Sequence, residues 1–139
     1  MSDLPPRLAE IIEDFSYCEG QEKLEYLLEL SESLPPLPEW LEGKQADMDR
    51  VRECMSPVFI YAEKKEDRVT YHFDVPPEAP TVRGVAAALK EGLDGCTVGE
   101  ITAVSDTLFA QMGLDKVVTG QRLNGLMALL AHVKTVANS

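Results

Sequence analysis

Two clusters of proline divide this chain into stretches of different periodicity. Pro35, Pro36 and Pro38 form the first cluster, and Pro76, Pro77 and Pro80 the second. Proline lacks an N–H donor and biases its predecessor away from helical backbone, so neither a helix nor a central strand runs through them. Before the first cluster the apolar residues repeat at helical spacing. Between the clusters they alternate, and after the second they return to helical spacing.

The first stretch reads as a helical hairpin. Leu4, Leu8, Ile11, Ile12 and Phe15 mark one helix, with Asp3 as N-cap, Pro5 in its first turn and Gly20 at its end. A second helix follows from about Gln21 to Leu34, with Leu24, Leu27, Leu28 and Leu34 as its stripe. Pro35 to Lys44 reads as a loop, with Trp40 expected to plug the core.

The middle stretch reads as a β-hairpin. Val58, Ile60 and Ala62 alternate with Phe59 and Tyr61, and Val69, Tyr71, Phe73 and Val75 with Thr70, His72 and Asp74. The charged run Glu63 to Arg68 is expected to turn between them, and Gln45 to Arg52 is a weaker strand candidate. The third stretch holds a helix marked by Val82, Val85, Ala86, Leu89 and Leu93 and a short helix opened by a Thr97–Glu100 capping box. Leu108, Phe109 and Met112 mark a segment stopped by Gly113, and a last helix carries Leu123, Leu126, Met127, Leu130, Val133 and Ala137. The order lacks βαβ alternation. It predicts an α+β fold: an antiparallel sheet of about three strands flanked by the helical hairpin and the C-terminal helices, in one domain over residues 1–139.

Charge excludes whole classes of function. The formal net charge is −11, which disfavours nucleic acid and anionic membrane surfaces as partners. The longest apolar run, Leu126 to Ala131, is too short to span a bilayer, and Met1 to Glu10 has no signal-peptide pattern. A cytoplasmic protein is expected. Glu10 to Glu32 carries eight acids against Lys23 alone, either a solvated face or a docking face for a basic partner.

Phosphate loops, nucleophile elbows and metalloprotease motifs are absent from the sequence. Cys18, Cys54 and Cys96 stand too far apart for a CxxC pair, and His72 and His132 do not complete a zinc site. His72 is expected on the wet face of the hairpin and His132 as a structural residue of the last helix. Cys18 and Cys96 read as small hydrophobes. Cys54 differs: Pro57 places it at a loop or strand end, and Arg50 and Arg52 are expected to lower its pKa. Arg122 opens the last helix against the macrodipole, where a cation beside free N–H groups suits a thiolate, persulfide or carboxylate.

These residues also carry a resemblance. Glu53-Cys54-Met55-Ser56-Pro57-Val58-Phe59, Thr81-Val82-Arg83-Gly84-Val85 and Gln121-Arg122-Leu123-Asn124-Gly125-Leu126 appear in the order found in the SufE family. The chain resembles that family from about Leu8 to Ala137. It departs from the usual pattern at Met55, where Gln is common, and at Glu53, where Gly is common.

The resemblance implies a SufE/IscU-like fold and a sulfur acceptor for a SufS-type cysteine desulfurase. Cys54 would take a persulfide sulfur, stimulate the desulfurase and pass sulfur to a SufBCD-type scaffold for iron–sulfur cluster assembly. Arg122 would stabilise the persulfide or contact the partner, while Met55, Ser56, Val58 and Phe59 would cover the loop. It implies no enzyme activity and no cofactor of the chain's own, since the pyridoxal phosphate belongs to the desulfurase. It allows a monomer or a homodimer. Two other classes remain open here: a thiol redox protein resolved by Cys18 or Cys96, and a non-catalytic interaction domain.

Overall fold

The computed structural model describes residues 4–139, so the expected cap Asp3 lies outside the described residues. In chain order the elements are α1 (Pro6–Ser16), α2 (Gln21–Ser33), β1 (Asp49–Arg50), β2 (Phe59–Lys65), β3 (Arg68–Asp74), α3 (Pro80–Leu93), β4 (Cys96–Thr97), α4 (Val98–Thr102), α5 (Leu108–Gln111) and α6 (Gly120–Ala137). The fold is α+β. Its sheet is antiparallel throughout, in the order β1-β2-β3-β4. Among the described residues no helix is long and apolar enough to cross a membrane.

The alternating pattern pairs as its period requires. Tyr61 stands opposite His72 and Ile60 opposite Phe73, so Ile60, Val69, Tyr71 and Phe73 all face the core. The strands continue further than the charge run implies. Lys65 pairs with Arg68, and the turn is only Glu66-Asp67, with Glu66 in the left-handed region at φ 59°. The expected strand at Gln45 to Arg52 shrinks to Asp49–Arg50, because a 3₁₀ turn occupies Gln45–Asp47. Cys96 and Thr97 add a fourth short strand beyond the three that the sequence predicts.

Three apolar side chains depart from expectation. Trp40 is 49% exposed and lies edge-on to Tyr61 and His72, on the outer face of the hairpin rather than in the core. His72 is half-buried beneath it, bonded to Glu63 at 2.9 Å. Leu28 and Met127 are exposed, while Leu30 and Leu129 are buried.

Helix α3 is the hub. It is buried on most of its circumference, with alanines at 86, 87 and 88 that let neighbours come close. Two glycines admit the two hairpin helices. A Cβ on Gly84 would stand 2.3 Å from the Leu27 carbonyl oxygen of α2, and one on Gly92 would stand 3.0 Å from Leu8 Cα of α1. Just before Gly84 the Arg83 guanidinium joins three carbonyls. It donates to Ser31 O (3.0 Å), Leu34 O (3.4 Å) and Val75 O (2.6 Å). Leu34 and Val75 are the residues just before the two proline clusters, where carbonyls left by a helix end and a strand end need donors.

The other end of α3 grips the sheet. Lys90 Nζ donates to Tyr71 O and to Asp94, and Asp94 accepts the Tyr71 N–H at 2.9 Å. The buried Tyr71 hydroxyl donates to Val133 O of α6 at 2.7 Å, which fixes α6 against the core side of the sheet.

The tight contact at Gly84 sets an expectation. Gly84→Ala forces the α2 backbone away and costs about 2–4 kcal/mol, read as a lower urea midpoint. Gly99→Ala, with nothing closer than 4.0 Å, stays within about 1 kcal/mol of the parent protein.

Candidate functional site

The loop between β1 and β2 carries Cys54. It is closed at its base by the Val51 N–H donating to Val58 O at 2.9 Å, and an inner turn joins Cys54 N–H to Val51 O. Val51 and Val58 are fully buried, so the loop projects from a fixed neck. Pro57 sits just before that neck, where its missing N–H removes no sheet bond.

The loop leans on α6. The Cys54 thiol donates to Gly125 O, with an S···O distance of 3.5 Å. Gly125 makes room for this: a Cβ there would lie 3.5 Å from the sulfur and 3.8 Å from Cys54 Cα. A pocket of about 100 Å³ opens beside the thiol. Its walls are the loop from Glu53 to Ser56, Gln121 and Arg122 from α6, and Glu78, Ala79 and Val82 from the start of the α3 region. Cys54 and Arg122 therefore share one pocket. The three sequence segments that carry the resemblance supply most of its lining.

The electrostatics differ from the sequence expectation. Burial pushes the Cys54 pKa up, and the neighbouring Glu53 carboxylate adds to the rise. Arg50 and Arg52 do not lower it. Arg50 lies over the Phe59 ring at 5.9 Å, and Arg52 is exposed with no ion pair among the described residues. The thiol in this conformation is held neutral, donating to a carbonyl. The Arg122 side chain is exposed and makes no hydrogen bond or ion pair among the described residues. Its backbone N–H donates to the Thr119 cap at 3.2 Å, which sets it in the first turn of α6.

The expected cover also needs correction. Met55 lines the pocket with Cys54 but is itself 86% exposed, and Phe59 belongs to β2 beneath Arg50. Val58 is buried in the neck, and Ser56 lines the pocket. The thiol itself packs against α6 at Gly125, and Ala79 and Val82 line another side of the pocket.

Sequence reasoning missed the role of His132. Its ring bonds Asp49 through Nδ1 at 2.5 Å and Glu53 through Nε2 at 3.0 Å, so it bridges α6, β1 and the cysteine loop. The sequence reading of His132 as a structural residue of the last helix holds, but the partners themselves lie about eighty positions away and leave no local cue. Cys18 and Cys96 lie elsewhere. Cys18 follows α1, and Cys96 lies on β4, at the edge of the sheet opposite β1. Each bonds weakly to a carbonyl four residues earlier, whereas the Cys54 acceptor is distant in sequence. Among the described residues no group of three or more His, Cys, Asp or Glu is placed to hold a metal ion.

Comparison with known proteins identifies relatives of the whole chain. Residues 9–137 match the SufE family, described as an Fe-S metabolism associated domain. A SufE-like protein of Mycobacterium tuberculosis is 40% identical over 134 residues, covering 96% of this chain and 92% of the relative. A Synechocystis SufE-like protein is 34% identical over 135 residues, covering 96% of this chain and 82% of its own. The cysteine desulfuration protein SufE of Plasmodium vivax is 22% identical over 140 residues, covering 98% of this chain and 54% of its own. The solution structure of a hypothetical protein from Thermus thermophilus superposes with a TM-score of 0.83 at 32% identity, covering 97% of this chain and 96% of that one. On the extent of these matches, the chain belongs to the SufE family, whose domain is associated with iron–sulfur metabolism.

Proposed function

We propose that this protein is the sulfur acceptor and activator of a cysteine desulfurase, with Cys54 as the carrying atom. The observation that supports this most is the Cys54 thiol, parked by one weak bond on a loop that shares a pocket with Arg122, whose side chain has no partner among the described residues. A half-buried neutral thiol is less open to oxidation than an exposed thiolate, and a loop held by a distant carbonyl can leave without unwinding a helix.

The reaction follows from thiol exchange. Docking of the desulfurase lifts the loop, and in water or beside a cation the Cys54 thiol ionises. The thiolate attacks the terminal sulfur of the desulfurase persulfide. The partner's S–S bond breaks as a new one forms on Cys54, and the desulfurase cysteine leaves as a thiolate that takes up the released proton. Sulfur is transferred with no net oxidation. Arg122 stands where its guanidinium can pair with the anionic persulfide of Cys54. The pyridoxal phosphate chemistry that frees the sulfur is the desulfurase's. The loaded protein then gives sulfur to a scaffold of the SufBCD kind. The acidic stretch on α1 and α2 supplies charge for a basic partner surface.

Four outcomes test the proposal. With a SufS-type desulfurase and cysteine, the intact mass rises by one sulfur, and peptide mapping places it on Cys54. Cys54→Ser stays folded and gains none; sulfur still gained by that variant removes Cys54 from the role. Arg122→Ala lowers the transfer rate at least about tenfold, the scale of one charge-assisted bond, and an unchanged rate makes Arg122 an ordinary surface residue. A desulfurase lacking its own acceptor cysteine speeds alkylation of Cys54 on docking, and an unchanged rate rules out loop opening by the partner.

A further inference from the structure

The cysteine loop is fastened at a second point that the sulfur chemistry does not use. Glu53, next to Cys54, accepts from His132 Nε2 at 3.0 Å, and Asp49, just before the loop, accepts from Nδ1 at 2.5 Å. Carboxylates only accept hydrogen bonds, so both ring nitrogens must donate, and only the imidazolium carries two N–H groups. The neutral ring would leave a bare nitrogen facing one carboxylate. The ring is mostly sheltered, with 23% of its side chain exposed, while Asp49 and Glu53 are 37% and 59% exposed, so solvent screens both pairs in part.

We propose that His132 is a positioning residue for Cys54: its imidazolium, clamped between Asp49 and Glu53, latches the loop closed with the thiol against Gly125, and loss of its proton releases the loop. His132 lies two helical turns beyond Gly125 on α6, so both fastenings are on one rigid element. The adjoining Val133 carbonyl is anchored by Tyr71. The latch therefore pulls the loop toward a part of the helix that does not yield.

Among the described residues two carboxylates pair with the ring. Asp49 comes from β1 and Glu53 from the loop. On α6 itself, Lys134 is turned to Asp106 at 3.0 Å. Arg50 lies over Phe59, and Arg52 makes no ion pair among the described residues. Burial lowers the His132 pKa, but the bonds to Asp49 and Glu53 outweigh it, and the net direction is upward. The sign follows from that rise. The latch is complete at pH below the ordinary imidazole value and is lost as pH climbs through the raised value. Release also exposes the thiol at the more alkaline pH at which it ionises, so the two events reinforce each other.

The inference rests on Cys54 being the sulfur acceptor, but its test uses the isolated protein and no desulfurase. Alkylation of Cys54 by iodoacetamide is followed by peptide mass mapping from mildly acidic to mildly alkaline pH. Cys96 is the internal reference, because its pKa is also raised chiefly by burial. In the parent protein the Cys54 to Cys96 rate ratio climbs as His132 deprotonates. At the acidic end, His132→Ala raises that ratio about tenfold, the scale of two partly exposed charge-assisted bonds. His132→Arg, a permanent two-pronged cation, restores a low ratio and removes its pH dependence. Asp49→Asn moves the ratio in the same direction as His132→Ala, about threefold, although Asp49 is not among the groups that act on the thiol directly; it stands in if His132→Ala melts. A ratio unchanged in both His132→Ala and Asp49→Asn, with circular dichroism intact, overturns the latch. So does a His132→Arg protein as reactive as His132→Ala.

Discussion

One guanidinium holds the architecture together at its weakest seams. Prolines begin at positions 35 and 76, and the carbonyls just before them have no regular partner. Arg83 reaches both, together with Ser31 O, and so joins the end of α2, the end of β3 and the start of α3 at one point. The fork geometry of arginine suits this, because its donors lie in one plane and stay charged at any relevant pH. The neighbouring Gly84 brings α2 close enough for the fork to reach. With that corner fixed, Ala79 and Val82 form a stable wall of the cysteine pocket.

Against this rigid frame the cysteine loop is lightly held. A thiol–carbonyl bond and two solvent-screened ion pairs are weak fastenings beside a packed core. The frame has a buried core running from α1 to α6 and is far costlier to disturb. A partner can therefore open the site without unfolding its surroundings. Burial and the Glu53 charge keep the resting thiol neutral, which suppresses side reactions and makes reactivity conditional on movement.

Much of this was legible in the chain, and the failures have physical causes. Proline clusters and the change of period located the hairpin and the helices, because both act locally. The Thr97–Glu100 capping box was readable and formed as expected. Cys54 stood out through Pro57, and Arg122 through its place in the first turn of α6. What failed depended on distant contacts. Trp40 fits a core by composition, yet a proline-rich loop carries it to the outer face beside His72. Arg50 and Arg52 are near Cys54 in sequence, but the loop turns them away, and the influential charge is Glu53. His132 looked like an apolar-helix residue because its two partners lie about eighty positions earlier.

The closed neck between Val51 and Val58 has a further consequence, one of geometry rather than energy. A loop of this length, fixed at both ends, carries its tip at most about 10 Å from the neck. The released sulfur therefore samples a small volume, and samples it fast, on the nanosecond-to-microsecond scale of loop motion. For any protein seated over the pocket, that confinement acts as a high effective concentration of the nucleophile. A longer loop would reach more deeply into a partner but would spread the same sulfur over a larger volume and meet its target less often. The short tether sets how close a partner must sit before the two sulfurs can meet.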